Sequence, residues 1–185
     1  RRGEACRYNR TVSDPRAAVE PVYSVVVPFY NEAETAAALI AEIERVMQSL
    51  GEPWELLMVN DGSRDATGEI LRQAAAGHAN YRHLRLPKNR GQAAALSVGL
   101  QRARGRFVVT MDGDGQNDPA DIPALLALLD AADMVVGIRA GRRDSWLRRA
   151  MSKFANAIRG RLLDDRMQDS GCALKVFRRE VVPVL

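Results

Sequence analysis

The sequence contains little cysteine, few aromatic residues and no long apolar run. Its two cysteines, Cys6 and Cys172, stand far apart without metal-ligand spacing, which disfavours a disulfide framework or a zinc site and suits a reducing, cytoplasmic setting. Aromatic residues make up only 5% of the chain, which argues against nucleic-acid binding by base stacking. No apolar stretch approaches the roughly 18 residues that span a bilayer, so the sequence predicts a soluble or peripheral protein.

The composition favours one globular domain with an affinity for anions. The 185 residues are 46% hydrophobic, which is enough for one well-buried core but not for two comfortable domains. The net charge of +4 comes mainly from arginine and suits anionic partners such as phosphates, nucleic acid or an acidic membrane surface. Residues 1–21 are polar and aperiodic, which predicts a disordered arm before a domain at 22–185.

Short β-branched runs alternate with helical patterns along most of the chain. This alternation predicts an α/β fold with a mostly parallel sheet and helices on both faces. The predicted strands cover residues 23–29, 55–59, 83–86, 107–111 and 134–138. The predicted helices cover 65–76, 92–104 and 121–129, and a further helix is expected after the first strand, where Asn31 is the cap, Glu34 its capping-box partner and Gly51 the stop.

The loops that follow the predicted strands are the candidate binding site, because ligands bind at the carboxyl ends of the strands in such a sheet. Five loops qualify, at residues 28–32, 60–63, 89–92, 112–116 and 137–139. Four of them carry a charged group beside a turn-forming residue. All five should lie along one edge of the sheet.

The loop at 112–116 has the most informative pattern. An apolar strand runs directly into two carboxylates, Asp112 and Asp114, which alternate with glycines and are followed by Gln116. Oxygen ligands at this spacing suit a hard cation such as Mg²⁺ or Mn²⁺, which takes its other ligands from water and substrate phosphates. Asp-Gly pairs also form ordinary turns, so that alternative stays open here.

Seven segments together form a recognisable set of motifs. They are Val-Val-Val-Pro-Phe-Tyr-Asn-Glu at 25–32, Val-Asn-Asp-Gly-Ser at 59–63, Asn-Arg-Gly at 89–91, Met-Asp-Gly-Asp-Gly-Gln-Asn-Asp-Pro at 111–119, Gly-Ile-Arg at 137–139, Arg-Asp-Ser-Trp-Leu-Arg-Arg at 143–149 and Asp-Ser-Gly-Cys at 169–172. Their order resembles that of family two glycosyltransferases with the GT-A fold, most closely the polyprenyl-phosphate sugar transferases related to dolichyl-phosphate mannose synthase. The resemblance covers residues 22–185.

The resemblance implies a metal-dependent, inverting transfer of a sugar from a UDP- or GDP-linked donor to a polyprenyl phosphate, such as dolichyl or undecaprenyl phosphate. It implies that Pro28, Tyr30 and Glu32 line the nucleotide pocket and that Asp61 hydrogen-bonds the base. Two alternatives stay open. Asp61 could belong to a turn and helix cap, and Glu32 could be a first-turn charge favoured by the helix dipole.

The same resemblance implies roles around the diphosphate. Asp112 would face the ribose and the bridging metal, and Asp114 and Gln116 would be ligands of Mg²⁺ or Mn²⁺. Arg139 and Arg149 would hold the donor and acceptor phosphates, since guanidinium groups pair bidentately with phosphate oxygens. The candidate catalytic residues are therefore Asp112, Asp114, Arg139 and Arg149, and Asp112 is also counted with the metal ligands.

The basic segment 139–166 adds a prediction about the membrane. Apolar residues recur there at helical spacing from Leu147 to Leu162, with arginine and lysine off the apolar stripe. Such a helix can pack on the core or contact a membrane surface, and the two interpretations are compatible. The expected location is peripheral, at the cytoplasmic face of the membrane.

Two other functions stay open at this point. A family two transferase with a saccharide acceptor would need a carboxylate base, for which Asp169 is the candidate. A non-catalytic anion or nucleic-acid binder would use the arginines alone. Related transferases also continue beyond the equivalent of Leu185, so the domain at 22–185 is expected to be truncated at its carboxyl end.

Overall fold

The computed structural model describes residues 20–137 and 173–184. Its strands are β1 (Tyr23–Phe29), β2 (Trp54–Asn60), β3 (Tyr81–Arg85), β4 (Phe107–Thr110), β5 (Met134–Val136) and β6 (Lys175–Arg178). They form one sheet with the order β3-β2-β1-β4-β6-β5. β1 pairs in parallel with β2 and β4, β2 pairs in parallel with β3, and β6 runs antiparallel between β4 and β5. The mostly parallel sheet expected from the sequence is confirmed.

Helices cover both faces of this sheet, as predicted. The α-helices of the described residues are α1 (Ala36–Ser49), α2 (Thr67–Gly77), α3 (Gln92–Leu100) and α4 (Ile122–Ala127), and 3-10 segments occur at Pro119–Asp121, Leu128–Asp130 and Arg179–Val184. Val25 and Val27 of β1 share a buried cluster with α1, α2 and α4, whereas Val26 between them packs with α3 on the other face. A Cβ at Gly99 would collide with Val26, so glycine lets α3 approach the sheet closely.

Two predicted helix boundaries are wrong, each because a tertiary contact outcompetes a local signal. Asn31 does not cap α1, and Glu34 is therefore not a capping-box partner, because Asn31 has a φ of +55° and the N-cap position belongs to Thr35. The third helix ends at Leu100 rather than at residue 104. The backbone N–H of Arg104 instead donates to Oε1 of a buried glutamate, over 2.7 Å.

One strand of the sheet was not predicted from the sequence, and some predictions concern residues outside the described ranges. Strand β6 was not predicted, although it joins β4 to β5. Most of the predicted arm at 1–21, the last residue of the fifth predicted strand and the basic helix between 147 and 162 lie outside the described residues. Among the helices at 20–137 and 173–184, none has the length and apolarity to cross a membrane.

The buried carboxylate of Glu55 links the amino ends of the strands, which are the ends opposite the predicted site. Only 1% of Glu55 is exposed. Its Oε1 accepts hydrogen bonds from the Ser24 hydroxyl at 2.8 Å and from the backbone N–H of Arg104. Its Oε2 lies 3.3 Å from Nη1 of Arg82 and 3.1 Å from Nη2 of Arg104. The charge is therefore paired by two guanidinium groups that remain partly in water.

We expect the stability of the protein to fall as the pH drops below neutrality, and His83 on β3 to contribute to that loss. Burial lowers the pKa of His83 below 6.5, and the charges of Arg85 and Arg72 lower it further. On acidification the unfolded chain therefore takes up a proton on this histidine more readily than the folded protein does. The contribution of neutral His83 to the free energy of unfolding is fully present above pH 6.5 and is lost as the pH falls through the folded pKa.

Thermal unfolding of the wild type and of His83→Gln between about pH 7.5 and pH 5.5 measures this contribution. The variant should lose less melting temperature over that interval than the wild type. An identical pH dependence in the two proteins would contradict the assignment to His83.

Candidate functional site

An open cleft of about 250 Å³ lies where β1, β2 and β4 end and where the loop after β3 returns to the sheet. The lining residues are Pro28, Phe29, Tyr30, Glu32, Asp61, Asn89, Gly91, Gln92, Asp112, Gly113 and Asp114. Four of the five strand-end loops predicted to share one edge therefore do so. The fifth is described only at Gly137, which follows β5.

The loops after β1 and β2 are joined by a set of hydrogen bonds that position the first side of the cleft. The N–H groups of Asn31, Glu32 and Ala33 donate to Ser63 Oγ at 3.0 Å, Thr67 Oγ1 at 2.8 Å and Asp65 Oδ2 at 3.1 Å, respectively. In return, the Asn31 side-chain oxygen accepts from the N–H of Arg64 at 2.9 Å. The left-handed backbone of Asn31 thus serves loop pairing rather than helix capping.

Asp65 is the main acceptor in this set. Desolvation raises its pKa, but hydrogen bonds from Thr67 and Ala33 outweigh that effect and leave the pKa below its usual value. The carboxylate is therefore ionised at neutral pH, the form that accepts these hydrogen bonds.

Asp61 positions the loop that follows β3. Only 2% of this residue is exposed, and its Oδ1 and Oδ2 accept hydrogen bonds from the backbone N–H groups of Arg90 at 2.8 Å and Gly91 at 2.9 Å. The next residue, Gly62, has a φ of +68°, and a Cβ there would lie 2.5 Å from the carbonyl carbon of Lys88. The β2 and β3 loops are therefore packed backbone against backbone.

The two carboxylates of the 112–116 loop face the same cleft. Asp112 accepts a hydrogen bond from the side-chain amide of Gln92, and Asp114 Oδ1 accepts from the N–H of Gln116 at 2.9 Å. Between them, Gly113 lies so close to β1 that an added Cβ would stand 2.6 Å from the Pro28 carbonyl oxygen. The lack of a side chain at this position lets the acidic loop lie against the end of β1.

Thr35 connects this acidic loop to the loop after β1. Its hydroxyl oxygen lies 3.2 Å from the carbonyl oxygen of Gly113 and 2.9 Å from Oε2 of Glu32. A hydroxyl has one proton to donate, so at a given moment it serves one of these two acceptors. Thr35 thus lies between Glu32 and the acidic loop on one side of the cleft and can donate to either.

The donor atoms at this end of the cleft fit a divalent cation. Among the described residues, no group of three or more His, Cys, Asp or Glu side chains could hold a metal ion by itself. Asp112 and Asp114 supply two carboxylates, and Mg²⁺ is commonly bound by one or two carboxylates together with water and substrate phosphates. The pair therefore suits a cation that is shared with a bound diphosphate.

Six of the predicted site residues come together in the cleft: Pro28, Tyr30, Glu32, Asp61, Asp112 and Asp114. Gln116 is exposed beside the cleft rather than among its lining residues, and Arg139 and Arg149 lie outside the described residues. The individual roles of all nine stay predictions. The sequence placed Gln92 in a candidate loop but gave no sign of its contact with Asp112, and it gave no sign of Thr35, since neither residue type signals a contact with a loop 20 or more positions away.

Comparison with known proteins gives a consistent result. The family model described as "Glycosyl transferase family 2" matches residues 24–184. A curated relative, the dodecaprenyl-phosphate galacturonate synthase of Rhizobium johnstonii, is 38% identical over 177 residues. That alignment covers 94% of this chain and 52% of the relative, so the chain spans about half the length of the relative.

Solved structures share the fold. The mannosyltransferase PcManGT from Pyrobaculum calidifontis, in complex with GDP-Man and Mn²⁺, has a TM-score of 0.61 at 25% identity over 90% of this chain and 47% of its own. Glucosyl-3-phosphoglycerate synthase from Mycobacterium tuberculosis, in complex with Mn²⁺ and UDP-glucose, has a TM-score of 0.66 at 22% identity over 89% of this chain and 58% of its own. The GT-A fold class expected from the sequence is confirmed.

Proposed function

Because this chain belongs to glycosyl transferase family 2, we propose that it transfers a sugar from a nucleotide-sugar to a polyprenyl phosphate, with inversion and with a divalent cation. The observation that carries the proposal is the cleft, in which three strand-end loops bring Asp112 and Asp114 together with Pro28, Tyr30 and Asp61. The relative from Rhizobium johnstonii supports the acceptor, since its name specifies dodecaprenyl phosphate.

The donor nucleotide would lie along the side of the cleft formed by β1 and β2. Pro28, Tyr30 and Glu32 would contact the nucleoside, and Asp61 would hydrogen-bond the base while it continues to hold the β3 loop. Uridine and guanosine both present N–H donors that a carboxylate can accept. In this proposal the base is uracil or guanine, in keeping with the UDP-glucose and GDP-Man that are bound in the two solved structures.

The diphosphate would lie over the 112–116 loop. Asp112, Asp114 and Gln116 would hold Mg²⁺ or Mn²⁺, and Asp112 would also face the ribose. When bound, such a cation offsets the negative charge that develops on the departing nucleoside diphosphate. The protein contributes orientation, since the hydrogen bonds from Gln92 and Gln116 restrict the two carboxylates before the donor arrives.

The acceptor needs little activation in this mechanism. A phosphate monoester has its second pKa near 6 and is largely dianionic at neutral pH, so its oxygen can attack without a protein base. Arg139 and Arg149, both outside the described residues, would hold the donor and acceptor phosphates. Attack on the anomeric carbon breaks its bond to the diphosphate oxygen and inverts the configuration.

An acceptor comparison tests the proposed function. Purified protein with Mg²⁺ or Mn²⁺ should transfer radiolabelled sugar from a UDP- or GDP-linked donor to polyprenyl phosphate and not to an oligosaccharide. Transfer to the oligosaccharide alone would instead support a saccharide transferase, for which Asp169, outside the described residues, is the candidate base. No transfer to either acceptor from any donor would contradict the proposal.

A more specific expectation concerns Arg149. Arg149→Lys keeps the positive charge but loses the planar fork that grips a phosphate with two hydrogen bonds. The apparent KM for polyprenyl phosphate should rise several-fold, and nucleoside diphosphate affinity should stay unchanged. Steady-state kinetics with both substrates varied measures this. An equal loss of donor affinity would place Arg149 at the donor diphosphate, and unchanged kinetics would make it a surface residue.

The location follows from the acceptor. A polyprenyl phosphate is a membrane lipid, so we propose that the protein works as a peripheral protein at the cytoplasmic face of a membrane. The basic segment 139–166, outside the described residues, is the proposed contact, because cationic amphipathic helices bind anionic lipid surfaces. Nucleic acid is not a partner in this proposal.

A further inference from the structure

One contact in the cleft joins two loops that are not neighbours in the sheet. The side-chain amide of Gln92, the first residue of α3, donates to Oδ1 of Asp112 after β4. In the strand order, β3 is separated from β4 by β2 and β1. At the usual strand spacing of about 4.8 Å, the loop after β3 must therefore span about 14 Å to bring Gln92 to Asp112.

The backbone of this loop is fixed at several points, so Gln92 is held where its side chain reaches Asp112. The Asp61 carboxylate holds the N–H groups of Arg90 and Gly91, and the Asn89 side-chain oxygen accepts from the N–H of Gly91 at 3.2 Å. Gly91 itself has a φ of +88°, a backbone conformation that turns the chain into α3 directly before Gln92.

The chemistry of an amide suits a partner of this carboxylate. A hydrogen bond to an ionised carboxylate stabilises the charged form, which is the form that binds a cation. A lysine or arginine at the same place would do so with a positive charge that repels the cation. Gln92 supplies the hydrogen bond and no charge.

We propose that Gln92 is a positioning residue, which orients the Asp112 carboxylate for the divalent cation and the diphosphate without contacting either. The inference rests on the proposed function, because it assumes that Asp112 serves a metal-dependent nucleotide site. It also assigns Asp61 a second role, since the aspartate that faces the base holds the loop that carries Gln92. Base recognition and the metal site would thereby be linked through residues 89–92.

Calorimetric titration of UDP and GDP at increasing Mn²⁺ concentration tests the role of Gln92. Gln92→Ala removes the donor, and Gln92→Met removes it while keeping most of the side-chain volume. In both variants the Mn²⁺ concentration for half-maximal diphosphate binding should rise by roughly 10-fold or more. Losses of this size are typical when a residue that orients a metal ligand is removed. The control is Gln101→Ala, because this exposed glutamine lies after the opposite end of α3 and donates to Ser97 Oγ.

The outcomes separate this inference from the proposed function. Wild-type Mn²⁺ requirements in both Gln92 variants would overturn the positioning role and leave the proposed function standing. A loss of metal-free diphosphate binding in both variants would also overturn it, because Gln92 would then contact the nucleotide directly. Wild-type protein that binds neither diphosphate at any Mn²⁺ concentration would contradict the proposed function itself. Melting temperatures of the variants establish that each one is folded.

Discussion

Replacing Asp114 by alanine should abolish metal-dependent binding of a nucleoside diphosphate and leave the fold intact. The carboxylate lies in the cleft beside Asp112 and accepts a local hydrogen bond from the N–H of Gln116. The residue is only partly buried and does not belong to the buried core. Its removal also relieves repulsion with the neighbouring carboxylate, so stability should not fall appreciably.

The size of the effect follows from the small number of protein ligands. Losing residues that merely orient a metal ligand commonly costs 10- to 100-fold in metal affinity, so loss of a ligand itself should cost on the order of 100-fold or more. Titration calorimetry with UDP or GDP, with and without Mg²⁺ or Mn²⁺, measures this. Asp121→Ala is the matched control, since it removes an exposed carboxylate that is seven positions after Asp114 in the sequence and does not line the cleft. Unchanged affinity in Asp114→Ala would show that this residue only forms a turn.

The second large effect is expected at the amino ends of the strands, opposite the cleft. Glu55→Ala leaves the guanidinium groups of Arg82 and Arg104 without their shared anion and deprives the Arg104 N–H of an acceptor. Breaking a buried ion pair from one side is strongly destabilising, and since both arginines are partly exposed we expect about 3 kcal/mol. For a domain of this size, that loss lowers the melting temperature by roughly 6–12 °C.

Glu69 provides the matched control for Glu55. It pairs with Arg72 on the exposed surface of α2, where ion pairs contribute little. Calorimetric unfolding of Glu69→Ala should therefore give nearly the wild-type melting temperature. Diphosphate affinity of Glu55→Ala, measured well below its melting temperature, should match the wild type because the cleft lies at the other end of the strands. A wild-type melting temperature for Glu55→Ala would contradict the structural role of the buried charge.

The central strands could be predicted because their signal is local and strong. The valines of β1 and the Leu-Leu-Met-Val run of β2 are buried on both faces, which is why they read as continuous apolar stretches bounded by turn residues. Loop placement followed from the same reasoning, since parallel strands bring their carboxyl ends together. The pairing of Asp112 and Asp114 with the β1 and β2 loops was therefore predictable before any contact was known.

What could not be predicted depends on contacts between distant segments. Strand β6 is only four residues long and is stabilised by antiparallel pairing on both sides, with β4 and β5, which no local pattern reveals. Asn31 has the residue type and spacing of a helix cap, but its hydrogen bonds go to the β2 loop. The early end of α3 has the same origin, because Glu55 and Ser24 take the N–H groups that would have continued the helix.

The central claim is that the cleft at the ends of β1, β2 and β4 binds a nucleoside diphosphate through a divalent cation held by the 112–116 loop. Crystals grown with Mn²⁺ and UDP or GDP test it most directly, by anomalous diffraction at the manganese absorption edge. The account predicts one strong anomalous peak within coordination distance of Asp114, roughly 2.0–2.2 Å from its oxygen, with diphosphate density beside it. Diphosphate density in the cleft with no manganese peak there, or a peak remote from this loop, would contradict the claim.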